Sequence, residues 1–280
     1  MKTWNLETNF LPHGIKKHTL KSGHTELWER RKKLGRGAFG TVWKETCVSG
    51  AKAGSVRAVK QMPRRHVSLV QRELIALAKF YIAMDFARYG DLESHISHRL
   101  PERETALIMV QITRAVRCIH EHNFVHRDLK PSNVLVVCRR PTWHVKVADF
   151  GVAKNIQGMD LHTSYMGTRG FMAPEIYSPS RLSAYTAAVD MWSLGTVAFR
   201  VRTGRLPWDS KDEKFAYYNN ISSFPDLPLV RSGSSKRCKN FIEAVMARKP
   251  VDRLTAEQAL GHKWLRRLGN YVDMIYNRCS

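Results

Sequence analysis

Hydrophobic and polar positions divide the chain into a β-rich first part and a mainly helical remainder. Trp28–Gly35 and Thr41–Cys47 read as the two strands of a hairpin around a glycine-rich turn, and Val56–Met62 reads as a third strand. Val67–Phe80 has helical spacing (Leu69, Val70, Leu74, Leu77), and Tyr81–Phe86 follows it at once. From Pro101 onward helices dominate. Arg103–Glu121 carries a stripe of Leu107, Val110, Ile112, Ala115 and Ile119. Tyr185–Gly204 is an apolar helix, and Phe215–Asn220, Lys239–Arg248 and Thr255–Leu265 complete the helical part. Residues 1–25 show little periodicity and several turn formers, so an extension of uncertain order is expected there.

Chemistry concentrates in Val125-His126-Arg127-Asp128-Leu129-Lys130-Pro131-Ser132-Asn133, a polar stretch set before the apolar run Val134–Val137. A carboxylate, an ammonium and an amide at short fixed spacings, pinned to a buried strand, suit phosphoryl transfer. Asp128 can accept the proton of an incoming hydroxyl and Lys130 can neutralise charge on the moving group. Asn133 offers a carbonyl oxygen to a hard cation. The plainer reading of the same stretch is a surface loop with a buried ion pair.

Four further stretches make the pattern specific. Gly35-Arg36-Gly37-Ala38-Phe39-Gly40-Thr41-Val42 fits GxGxxGxV, and Asp149-Phe150-Gly151 follows the strand-like Val145–Ala148. With Ala58-Val59-Lys60 and Ala173-Pro174-Glu175, the chain resembles a eukaryotic protein kinase of the serine/threonine branch over about residues 28–265. The resemblance implies an α+β fold of two lobes, a small β-rich N-lobe (28–86) and a large helical C-lobe (87–265). Residues 1–27 are then an extension and 266–280 a tail. It implies ATP and Mg²⁺ as cofactors and a protein substrate. Gly35, Gly37 and Gly40 would lie over the phosphates, which Lys60 would hold while pairing with Glu73. Val42, Ala58, Met84 and Leu135 would enclose adenine, the backbones of Asp85 and Ala87 would bond it, and Asp91 would meet ribose. Asn133 and Asp149 would bind Mg²⁺. Phe150 and His126 would stack into the core, Asp190 would hold the catalytic loop, and Glu175 would pair with Arg253. Thr168 and Lys130 would both meet Asp128. Ser164, then Thr163, are the candidate phosphorylation sites, with Arg127 and Lys154 as the basic pocket for the phosphate.

The chain departs from the family after Phe80, where a fourth small-lobe strand of roughly twenty residues with its loop is absent. With almost no chain between them, either the helix end or the Tyr81–Phe86 strand must give way. The alternative to an active kinase is therefore a catalytically impaired, kinase-like interaction protein or a truncated gene product. Two positions bear on substrate choice. Ser132 and Arg200 stand where arginine-directed kinases carry acidic groups, so neutral or acidic target sequences are expected.

Composition changes this picture little. The 280 residues are 43% hydrophobic, enough for a sizeable core, and no apolar run is long enough for a membrane span. Five scattered cysteines argue against a disulfide framework and for a reducing, cytoplasmic or nuclear setting. His95/His98 and His120/His122 lack a second ligand pair and read as surface histidines. A net charge of +22 would draw acidic partners. Nucleic-acid binding would explain that charge but none of the motifs, and it is not expected. The cluster Arg30–Lys33 falls in the strand before the glycine turn, most simply as a solvated edge.

Overall fold

The computed structural model describes residues 6–37, 40–62, 80–150, 153–155, 167–177, 186–269 and 271–274. The helix expected over 67–80 lies almost wholly outside the described residues, as do Glu73, Gly151, Thr163 and Ser164. The chain divides into two compact units, Met1–Ala87 and Arg88–Ser280.

The described residues of the first unit form an antiparallel sheet of six strands in sequence order: β1 (Leu6–Phe10), β2 (Ile15–Leu20), β3 (Thr25–Gly37), β4 (Gly40–Ser49), β5 (Val56–Met62) and β6 (Phe80–Asp85). The first two strands correct the reading of residues 1–25 as an extension of uncertain order. The missing signal has a physical cause. The positions of β2 that turn inward are Lys16 and His18, and the first inward position of β3 is Glu26, ahead of Trp28. These three are buried but charged or polar, so the usual apolar alternation is absent until Trp28. They are paired instead of apolar. Lys16 Nζ lies 2.5 Å from Glu45 Oε1, and Arg57 donates to Glu45 Oε2 at 2.8 Å and contacts His18 Nε2 at 2.8 Å. The sheet curls until the Phe10 ring lies 5.2 Å from Tyr81 and Lys16 Nζ sits 4.1 Å above the Tyr81 ring.

β5 pairs with β6 over six residues in unbroken register, Arg57 opposite Asp85 through Met62 opposite Phe80. The strand after the short connection has therefore not given way, and it takes Phe80 from the end of the expected helix. Residues 31–37 of β3 are exposed, as a solvated edge requires.

The second unit is built on two helices. In α1 (Glu102–Glu121), Leu107, Val110 and Ile112 are buried, as their spacing predicts. Gln111 on the same helix donates to Trp143 O (2.8 Å) and accepts from Val145 N (3.0 Å). It thereby ties α1 to the hairpin of β8 (Val134–Cys138) and β9 (His144–Val147). A short ladder joins β7 (Phe124–Val125) to β10 (Lys154–Asn155). α2 (Ala188–Thr203) is buried almost all round and ends at Gly204, whose left-handed φ of 78° closes the last turn. α4 (Leu227–Arg231) and α5 (Lys236–Val245) pack against it, Tyr217 of α3 (Lys211–Tyr218) lies 6.2 Å from the Trp192 ring, and α6 (Ala256–Gly261) packs against α1. Trp192 of α2 stacks on Trp208 at 5.4 Å between ring centres.

Candidate active site

The loop between β7 and β8 is fixed before any ligand is considered. Leu129 is fully buried and anchors its middle. Asp190, buried in the first turn of α2, accepts from His126 N (2.8 Å) through Oδ2 and from Arg127 N (2.8 Å) through Oδ1. An acidic group in a first helical turn is also favoured by the helix dipole. His120, at the end of α1, contacts Asp190 Oδ2 at 2.9 Å and is 13% exposed, so it is a buttress of the loop and not the surface histidine its position suggested. Sequence periodicity misses it because it lies off the apolar stripe. His126 is buried, with Nε2 3.0 Å from Ala148 O, and its Nδ1 accepts from Asp128 N at 3.3 Å.

This scaffold presents Asp128 in a small network. Lys130 Nζ donates to Asp128 Oδ2 (2.8 Å) and to Thr168 Oγ1 (2.6 Å), and Thr168 Oγ1 donates to Asp128 Oδ1 (2.8 Å). Asn133 Nδ2 donates to Asp128 O (2.8 Å) and Oδ2 (3.1 Å). Thr168 reaches the carboxylate because Gly167 precedes it. Gly167 has φ 128°, and a Cβ there would lie 2.8 Å from Arg127 O. The arrangement leaves a carboxylate oriented by two donors on one oxygen and one on the other, which suits a base for a hydroxyl proton.

Asn133 spends its amide nitrogen on Asp128, which leaves the carbonyl oxygen as the end that can meet a hard cation. Its backbone carbonyl accepts from Ala148 N at 2.8 Å, so the two candidate cation ligands, Asn133 and Asp149, are brought close by the β8–β9 hairpin. Asp149 has φ 63° and Arg127 φ 65°, left-handed conformations that cost free energy in a non-glycine residue and cluster at functional sites. Phe150 packs on His126 at 5.2 Å but stays 52% exposed. The expected burial therefore holds for His126 and not for Phe150. Glu175 and Arg253 form the expected pair, bidentate at 2.6 and 2.9 Å.

Beside Lys130 and Thr168 is a cavity of about 540 Å³ whose wall includes Ser132, Glu93, Arg200, Arg205 and Asp209. Its two carboxylates are both occupied, Glu93 by Arg200 (2.7 Å) and Asp209 by Arg205 (3.0 Å). Arg200 also donates to Gly204 O. Asp91 pairs with Leu135 in an isolated bridge, and its Oδ1 accepts from Ser94 N at 3.0 Å.

In the first unit, Lys60 lies opposite Val42 and Ala58 opposite Met84, so these four side chains share one face of the sheet. Lys60 is 9% exposed. Gly40 has φ 138°, and a Cβ there would fall 2.2 Å from Gln61 O, so the turn requires glycine. A Cβ on Gly35 or Gly37 would meet nothing within 4 Å. The Lys154 side chain and both candidate phosphorylation sites lie outside the described residues.

The protein kinase domain family model matches residues 75–265. Among curated relatives, calcium/calmodulin-dependent protein kinase type 1B of Homo sapiens is 30% identical over 90% of this chain and 78% of its own length. Serine/threonine-protein kinase ATG1b of Arabidopsis thaliana is 29% identical over 84% of this chain, which spans only 36% of that relative. Human mitogen-activated protein kinase kinase kinase 4 is 29% identical over 92% of the chain, 17% of the relative. A crystal structure of the Rad53 kinase domain and SCD2 in complex with AMPPNP superposes with a TM-score of 0.64 at 26% identity, covering 85% of this chain and 90% of the other. Its β-rich first unit, helical second unit and the family match together establish that the chain belongs to the protein kinase family, with a domain of the eukaryotic serine/threonine type.

Proposed function

We propose that the chain is an active serine/threonine protein kinase that transfers the γ-phosphoryl group of Mg-ATP to a protein hydroxyl. The observation that carries this reading is the Asp128 carboxylate held between Lys130, Thr168 and Asn133 on a loop whose backbone is bonded to buried Asp190. Asp128 takes the substrate hydroxyl proton, and Lys130 offsets charge on the transferred group. Asn133 and Asp149 hold Mg²⁺, which when bound neutralises the triphosphate charge. Lys60, paired with Glu73, holds the phosphates beneath the backbone of Gly35, Gly37 and Gly40. Val42, Ala58, Met84 and Leu135 enclose adenine, Asp85 and Ala87 bond it through their backbones, and Asp91 meets ribose through its second oxygen. The substrate is neutral or acidic around its target residue, because the two carboxylates that the described residues place in the groove beside Lys130 already face cations, Glu93 meeting Arg200 and Asp209 meeting Arg205. A peptide-array profile dominated by upstream arginine would count against that preference.

One observation favours a second reading, a kinase-like interaction protein without turnover. Among the described residues the last strand of the sheet is β6, and residues 63–79 are the whole of the chain between it and β5, where the family resemblance implies a further strand. A thermal-shift titration with Mg-ATP, combined with phosphate incorporation into protein, separates the two. The active reading expects stabilisation by Mg-ATP and a loss of about 10²–10⁴-fold in Asp128→Ala. Indifference to Mg-ATP, with turnover no better than Asp128→Ala, would establish the second.

A further inference from the structure

A second cavity, of about 480 Å³, opens between α1 and the segment that follows α6. Its wall carries Val110, Arg114 and Arg117, one face of α1 at positions i, i+4 and i+7, with Leu260, Leu265 and Arg266 opposite. Val110 and Leu265 are buried beneath the partly exposed Leu260 and with it form an apolar floor, ringed by three guanidinium groups, and Asp273 is the one carboxylate that the described residues place on the wall. We propose that this cavity is a docking site for an acidic segment of a partner protein, its Asp or Glu side chains on Arg114, Arg117 and Arg266 and an aliphatic side chain on the floor.

Three observations carry the assignment. The chain itself places a carboxylate in the site: Arg114 grips Asp273 through both nitrogens, at 2.6 and 3.3 Å, the fork geometry that guanidinium offers to carboxylates. That hydrogen bond holds the Asp273 carboxyl below the usual carboxylate range. The present partners are also easily exchanged. Asp273 is 60% exposed, and Glu257 and Glu121, which pair with Arg117 at 2.9 and 3.4 Å, are 71% and 59% exposed. Solvent-exposed ion pairs contribute little, so an incoming carboxylate displaces them at small cost. Arg117 Nε, moreover, is buried, and its contact with Glu121 Oε1 at 3.4 Å lacks hydrogen-bond geometry, so that donor is poorly served. The net charge of +22 steers acidic chains toward the molecule at low salt. A nucleic acid fits less well, since it needs a run of phosphate contacts along a stripe and gains nothing from an apolar floor.

The test is fluorescence anisotropy of a labelled peptide of alternating Glu and Leu, titrated with the full chain. Arg266→Gln and Arg114→Glu should each weaken binding about tenfold. Lys236→Glu with Arg237→Glu, a charge reversal on exposed α5 residues, should leave it unchanged. Asp273→Asn should tighten binding by releasing Arg114. Equal losses in the α5 control, no gain in Asp273→Asn, or a DNA duplex that displaces the peptide and loses affinity with the same substitutions would each overturn the proposal. Thermal midpoints of all variants guard against misfolding, and Arg266→Gln, which breaks none of the ion pairs above, carries the test if Arg114→Glu unfolds.

Discussion

Lys214 of α3 donates to the backbone carbonyls of Arg169 (3.0 Å) and Met172 (3.2 Å), so the segment just after Thr168 is held by a buried amine. Burial pushes its pKa from 10.5 down to about 8. Between those two values the unfolded chain holds the extra proton, so the Lys214 contribution to stability rises as pH climbs from 8 to 10.5. Lys214→Met lacks that gain. Its deficit against the parent, read from denaturant midpoints, should be constant below pH 8 and widen above it by up to about 3 kcal/mol. A deficit that narrows with rising pH would show that the amine is charged in the fold throughout. At this scale Asp128, Lys130 and Asn133 were legible in the sequence because the loop that carries them is local, with all three within six residues. Lys214 and His120 were not. Each acts on a partner from a distant element, Lys214 on residues 42 and 45 positions back and His120 on one 70 positions ahead.

At the scale of elements, the β1–β2 hairpin is part of the first unit's sheet, and its inward charges converge on Glu45. Glu45 is fully buried between Lys16 and Arg57, which are 3% and 17% exposed. Removing one partner of a buried ion group leaves the others uncompensated in a poor dielectric. Glu45→Gln should therefore cost about 3–5 kcal/mol. Chemical denaturation followed by the fluorescence of Trp28 and Trp43 measures it, and a change below about 0.5 kcal/mol would mean the network is hydrated in solution. The strands β3 to β5 were readable from the motifs and apolar runs they carry. The hairpin was not, since a strand whose buried face is built of Lys16 and His18 carries no hydrophobic period.

For the whole molecule, the main apolar core runs from Leu92 to Val272 and lies entirely in the second unit, while the first is held by its sheet and charge network. Two compact units need not unfold together. We expect Glu45→Gln to shift an early unfolding transition reported by the first unit and to leave that of the second in place, as separate peaks in calorimetry. A single peak displaced as a whole would show that the units melt as one.

The sequence by itself determined the kinase family, the order of β-rich and helical parts, and the identity of the loop residues around Asp128, because each is encoded in short spacings or apolar periods. Tertiary structure alone decided that Asp190 and His120 brace that loop, that Glu93 is neutralised by Arg200, and that Leu6–Phe10 and Ile15–Leu20 enter the sheet. Those outcomes depend on pairings between charges far apart along the chain. A polar residue looks the same in a sequence whether it faces water or a buried counter-charge, so only the fold could tell the two apart.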